Sequence, residues 1–125
     1  MGKKLILSLA AVVGLAACAQ SNIQPMSKDT FKISTVAAPV CGPSGARNVA
    51  LKIAAIEVIR RGGDKFVLTG GASQTDLWRG THNQSMVVKV IPEGSSEARN
   101  ALSARNQLGD NWEEFIAKGT PTTCE

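Results

Sequence analysis

The chain has 125 residues, 14 basic against 10 acidic for a formal charge of +4, with three Phe, two Trp and no Tyr. Without a clustered basic stripe interleaved with aromatics, nothing supports a nucleic-acid partner. A single histidine rules out the common His-rich metal sites, and the absence of Cys-x-x-Cys argues against a thioredoxin-like redox role.

The N-terminus opens on Lys3 and Lys4, followed by thirteen mostly apolar residues from Leu5 to Ala17, interrupted only by Ser8 and Gly14. That run is too short for a membrane-crossing helix, which needs about 20 residues. A charged start, an apolar core of this length and a small-residue end describe a secretory signal peptide over residues 1–17. The stretch Leu15-Ala16-Ala17-Cys18 resembles the lipobox of bacterial lipoproteins. The resemblance implies diacylglycerol on the Cys18 thiol, cleavage before Cys18 and acylation of the new terminus. It also implies delivery to the outer membrane, facing the periplasm, because Ala19 stands where an inner-membrane retention aspartate would. Lys3 and Lys4 would leave with the leader, bringing the charge to about +2 by the same residue count. The remainder suits one small domain built on Val, Ile, Leu and Ala.

Residues 18–28 are polar, short and broken by Pro25, and read as a lipidated tether reaching roughly 30 Å. A single domain follows over 29–125. Asp29 to Ala38 alternates Phe31, Ile33 and Thr35 against Lys32 and Ser34, the pattern of a half-buried strand. Pro39, Gly42 and Pro43 then break the chain. Residues 45–61 predict a helix with Ser44 as a plausible cap: Val49, Ile53 and Ile56 recur at helical spacing, Ala50 and Ala54 widen the stripe, and Gly62-Gly63 end it. Two short apolar runs, 64–69 and 86–91, predict buried strands. Between them Gly70 to Gln84 reads as a long binding loop. Beyond it, a helix over 97–108 capped by Ser95 or Ser96 is expected. A second, short helix follows, capped by Asp110 with Glu113 three residues on, and it turns Trp112, Phe115 and Ile116 inward.

Once Cys18 is assigned to lipid, Cys41 and Cys124 remain as an even pair in an exported chain, which in an oxidising compartment is expected to form a disulfide. Two reduced thiols are the alternative. The expected fold is therefore α+β: a small, mainly antiparallel three-stranded sheet packed by the helix 45–61, with C-terminal helices fastened by Cys41–Cys124. The strand after the helix has the option of pairing parallel to the first through a right-handed crossover.

Candidates for chemistry are few, and each has a plainer account. His82 is a solvated loop residue, a ligand or base, or a partner contact. Asp76, His82 and a serine compose a triad only on paper, since no Gly-x-Ser-x-Gly elbow accompanies them. Thr69 to Ser73 suggests a phosphate cradle but lacks the Walker lysine and the following helix. Arg47, Arg60, Arg61 and Lys65 form either an anion-binding face or a solvated helix end, and Glu113 and Glu114 point too far apart on a helix to share a substrate. Trp78 and Arg79 are the residue types enriched in interface hot spots; the competing account folds Trp78 back over the core. No cofactor motif is present.

The segments TVAAPVCGPSGARNVALKIAAIEVIRRGGDKFVL, from Thr35 to Leu68, and ARNALSARNQLGDNWEEFIAKGTPTTC resemble a family of small envelope lipoproteins of alphaproteobacteria and their phages. That resemblance brings no activity with it. The element order is also similar to small envelope lipoproteins such as the stress sensor of the Rcs system. The function expected is non-catalytic: a lipid-anchored envelope protein that contacts another envelope protein, through Trp78, Arg79 and His82. A binding, inhibitory or phage-exclusion module acting through loop 70–84 is the alternative, and a small hydrolase a third.

Overall fold

The structure, a computed structural model, describes residues 18–124. The expected signal peptide, 1–17, lies outside the described residues.

Five strands form one sheet: β1 (Ala19–Pro25), β2 (Thr30–Ala37), β3 (Lys65–Thr75), β4 (His82–Val90) and β5 (Leu102–Ser103). Their spatial order is β1-β2-β4-β3-β5, and every neighbouring pair is antiparallel. The α+β architecture agrees with expectation, whereas the sheet has five strands rather than three. Because β4 inserts between them, β3 runs in the same direction as β2 without pairing to it.

One long helix, α1 (Gly42–Arg60), packs across β2 and β4. The alternation read in β2 sets the buried face: Phe31, Ile33, Thr35 and Ala37 lie inward, opposite Val88, Met86, Gln84 and His82 on β4. From α1, Ala46, Ala50 and Ala54 at four-residue spacing sit beside Val49, Ile53, Ile56 and Val58. Small alanines let the helix approach the strands closely, which suits a core with few aromatics. The helix starts at Gly42, ahead of the expected Ser44 cap, because Pro43 supplies a ready-made first-turn φ and needs no amide partner there. It stops where Gly62 takes φ +87° and Gly63 N donates to Val58 O at 3.0 Å.

The disulfide forms as expected. Cys41 and Cys124, 83 residues apart, bring their Cα atoms to 5.8 Å and tie the chain's end to the start of α1.

Further expectations need correction. Residues 19–25, read as tether, are the edge strand β1. Ala19, Ser21 and Ile23 face Ala37, Thr35 and Ile33, and the Ser21 and Thr35 hydroxyls meet at 2.8 Å. The outward set, Gln20, Asn22 and Gln24, is wholly polar, which hid the period of two. Next, most of the expected loop 70–84 is strand, leaving only 76–81 as a turn. Finally, the expected helix 97–108 breaks into a 3-10 turn (Ser96–Asn100), β5 and the one-turn helix α2 (Ala104–Leu108). Tertiary bonds override helix propensity there. Leu102 and Ser103 pair with Phe66 and Lys65, and Ala104 N donates to Asp64 O at 2.8 Å. The last helix, α3 (Trp112–Lys118), begins after Asn111 rather than Asp110, and no side chain caps it. Its Trp112, Phe115 and Ile116 pack against the core as expected.

Candidate functional site

The β3–β4 hairpin carries the most exposed apolar side chains among the described residues. Its ladder runs from Phe66↔Val90 to Thr75↔His82, with one bulge between Leu68 and Gly70. Past the bulge the β3 side chains are small or polar and exposed, so backbone pairing with β4 extends the hairpin, joined by side-chain bonds between Ser73 and Gln84 and between Thr75 and His82. At Gly71 a Cβ would lie 2.9 Å from the Ser85 carbonyl.

The turn at its end is braced from within. Asp76 N donates to Thr81 O at 2.9 Å, and Gly80, at φ +70°, donates to Asp76 O at 2.7 Å. The Asp76 carboxylate accepts from the amides of Trp78 (3.0 Å) and Arg79 (3.3 Å), the bonding of an Asx turn. Gly80 also rests against Pro39, since a Cβ on it would lie 3.2 Å from Pro39 Cγ. On this fixed turn Leu77 is 91% and Trp78 98% exposed. Trp78 therefore does not fold back over the core.

His82 does not join Trp78 and Arg79 on the turn. It begins β4, where its Nδ1 lies 3.2 Å from Thr75 Oγ1. Asp76 is engaged by the turn's amides and His82 by Thr75. Thr69 to Ser73 lies within β3, with no helix after it to complete a phosphate cradle.

The hairpin tip shares one end of the sheet with Cys18. Ala19 is opposite Ala37, Ala37 opposite His82, and His82 opposite Thr75. Three strand spacings separate the first row from the last, about 14 Å. Cys18 itself is built into the sheet: its carbonyl accepts from Ala38 N at 3.0 Å, it bridges to Thr123, and Ala19 N donates to Thr122 O at 2.8 Å. No flexible spacer intervenes between Cys18 and the domain.

At the opposite end lies a cleft of about 510 Å³, lined by Asp29, Arg61, Asp64, Glu93 and Arg105 among others. Of the expected anion face, Arg61 lines it while Arg47, Arg60 and Lys65 do not. Arg61 Nε is bound to Glu57 at 3.0 Å and its guanidinium lies 4.6 Å from the Phe31 ring centroid. Arg105 likewise reaches Asp64 at 3.4 Å and stacks on Trp112. Asp64 collects more bonds than any other side chain here: Ser103 Oγ at 2.9 and 3.1 Å and Arg105 N at 3.0 Å. Burial pushes its pKa up, but the Arg105 amide, the Ser103 hydroxyl and the charges of Arg105 and Lys65 outweigh that and hold it below the ordinary carboxylate value. Asp29, on the surface, is also lowered, chiefly by the hydroxyls of Ser27 and Thr30. The sequence carried no sign of Arg105 here, since its place depends on the broken helix.

Glu113 and Glu114 stand exposed in the first turn of α3. Among the described residues no group of His, Cys, Asp and Glu is placed to hold a metal ion, and no helix is long and apolar enough to cross a membrane. No family model, curated protein or solved structure matches the chain.

Proposed function

We propose that the protein is a lipid-anchored envelope lipoprotein of the outer membrane, facing the periplasm, whose role is to contact another envelope protein rather than to catalyse a reaction. Cys18 carries the lipid. The observation that carries the contact role is the outer edge of β3, which β5 pairs only at Lys65 and Phe66. Among the described residues no strand pairs with that edge from Val67 to Thr75. Its backbone donors and acceptors suit an extended segment of a partner, added as a further strand. The small side chains of Gly70, Gly71, Ala72 and Ser73 would let a partner's backbone approach. The neighbouring sheet face, not covered by α1, adds a shallow hollow lined by Ser34, Val36, Ala72, Gln74, Asn83 and Ser85. In it Asn83 Oδ1 is buried without a hydrogen-bond partner, an acceptor suited to a donor from a bound chain. The engagement of Asp76 and His82 in the turn and the ladder supports a non-catalytic role.

The test has two arms on the full chain made in its own cells. Intact mass from membranes should correspond to residues 18–125 plus acyl chains, and an unlipidated mass overturns the anchor. A photo-crosslinking residue at Ser73 should yield a discrete protein adduct that one at Asn106, on α2, does not. Equal or absent adducts at both positions remove the β3 edge as the contact.

A further inference from the structure

We propose that the hairpin tip, Leu77 and Trp78 with Arg79, is a second membrane contact that seats in the headgroup region of the same bilayer that holds Cys18. This rests on the reading of Cys18 as the lipid anchor. The expected partner contact at Trp78 and Arg79 is thereby assigned to lipid, and protein contact is left to the β3 edge.

Three observations carry it. First, the three most exposed large apolar side chains lie at the Cys18 end of the sheet, whereas the less exposed Met26, Leu68 and Leu102 lie away from it. Leu77 and Trp78 are on the tip, and Val40, 69% exposed, is on the short 3-10 turn Pro39–Cys41 against which Gly80 rests. Second, the thirteen-residue apolar run from Leu5 to Ala17 ends at Cys18. Whether cleaved and replaced by lipid or retained, the chain's apolar attachment enters the domain at this end. With no spacer after Cys18, the tip cannot be held far from the surface. Third, the tip has the composition of an interfacial anchor. An indole prefers the headgroup level, where its apolar body and polar N–H are both accommodated, and leucine inserts beside it. Arg79 supplies a cation to anionic headgroups, while the one acidic side chain in the turn, Asp76, is held by the turn's own amides. That bracing fixes the turn before binding, so little conformational entropy is lost on contact.

The experiment uses the full lipidated chain reconstituted into phosphatidylethanolamine–phosphatidylglycerol vesicles, with flotation reporting the anchor and tryptophan emission reporting the tip. The chain has two tryptophans, so Trp112→Phe isolates Trp78, and Trp78→Phe serves as its reciprocal. In Trp112→Phe, emission should shift to the blue on reconstitution, be lost when brominated lipids replace ordinary ones, and resist aqueous iodide. In Trp78→Phe, emission should be indifferent to brominated lipid. Should Trp112→Phe fold poorly, the difference between the parent chain and Trp78→Phe reads the same signal. Flotation with Trp78 still quenched by iodide and indifferent to bromolipid overturns the lipid contact while leaving the anchor standing, and returns the tip to a protein partner. A chain that does not float overturns the anchor and this contact together.

Discussion

Replacing Asp64 by alanine tests how the C-terminal segment is held. Its carboxylate accepts from Ser103 Oγ and Arg105 N and faces the Arg105 guanidinium at 3.4 Å, joining the start of β3 to β5 and α2. Hydrogen bonds to a charged group contribute about 1.5–3 kcal/mol each, but bonds within one cluster do not add fully. The Arg105 side chain is 45% exposed, so its ion pair is discounted for solvent screening. Two charged hydrogen bonds and a screened pair give an expected loss of about 3 kcal/mol for Asp64→Ala at neutral pH, by the same per-bond magnitudes. Acid should remove part of this contribution in the parent, because protonation weakens the bonds that hold the carboxylate. A carboxylate whose folded pKa lies below its unfolded value of about 3.9 contributes stability fully above that value. The contribution disappears as pH falls through the lower, folded value. Urea unfolding followed by circular dichroism at pH 7 and at pH 3 measures both effects. The gap between parent and variant should be wide at pH 7 and narrow in acid. A gap below about 0.5 kcal/mol at pH 7, the size of an ordinary surface substitution, or one that stays constant with pH, refutes this account of Asp64.

Opening the disulfide by Cys124→Ser should lower stability by about 4.5 kcal/mol in the chain-entropy model for a loop of this size, read as the shift in urea midpoint that reductant produces in the parent and not in the variant. Gly71→Ala forces a Cβ to 2.9 Å from a backbone carbonyl that the ladder holds in place; overpacking of this kind costs about 1–3 kcal/mol, visible as a lowered midpoint, and an unchanged one would show that the hairpin yields there. Leu77→Ser and Trp78→Ser, at positions already surrounded by solvent in the unbound domain, should each stay within about 0.5 kcal/mol of the parent; a larger loss in thermal or urea unfolding would mean that the tip belongs to the core after all.

Elements whose sequence period comes from burial were legible, and elements held by backbone pairing were not. Helix α1 and strand β2 each show one apolar face to the core, so Val49, Ile53 and Ile56, and Phe31 and Ile33, mark them at sight. The disulfide was expected from cysteine parity and the compartment that a signal peptide would imply. By contrast, β1 hides a period of two behind Gln20, Asn22 and Gln24, with Ser21 among its inward positions. The outer half of β3 has small or polar residues on both faces, which is also the composition of a loop. The insertion of β4 between β2 and β3 is a long-range choice that no local window records. For 97–108 the helical pattern was present and lost to Asp64, whose bonds to Ser103 and Arg105 draw the chain into β5. The paired-arginine cleft could not be foreseen because Arg105 reaches it only through that break. Trp78 and Arg79 were visible as residue types, and their exposure depended on Asp76 closing the turn.

Two attachments at one end of a sheet do more than one. A domain held only through Cys18 could swivel about the bonds of its anchor, presenting any flank to its surroundings. On the proposed reading, the β3 side of the tip's base, Thr75, stands about 14 Å from the β1 row beside Cys18 across three strand spacings, so the two contacts define a line on the membrane and resist rotation out of it. The strands then rise from the surface, and the eight residues of β2 carry the opposite end to a height of roughly 24 Å at about 3.4 Å per residue. The unpaired edge of β3 begins beside the tip and climbs the same distance. A partner strand added there would run along the membrane normal from the headgroups upward, which favours a partner anchored in the same bilayer over one that diffuses freely in the periplasm. The absence of a spacer after Cys18 is thus a functional property on this reading: it keeps the β3 edge at a fixed height and the arginine cleft directed away from the lipid.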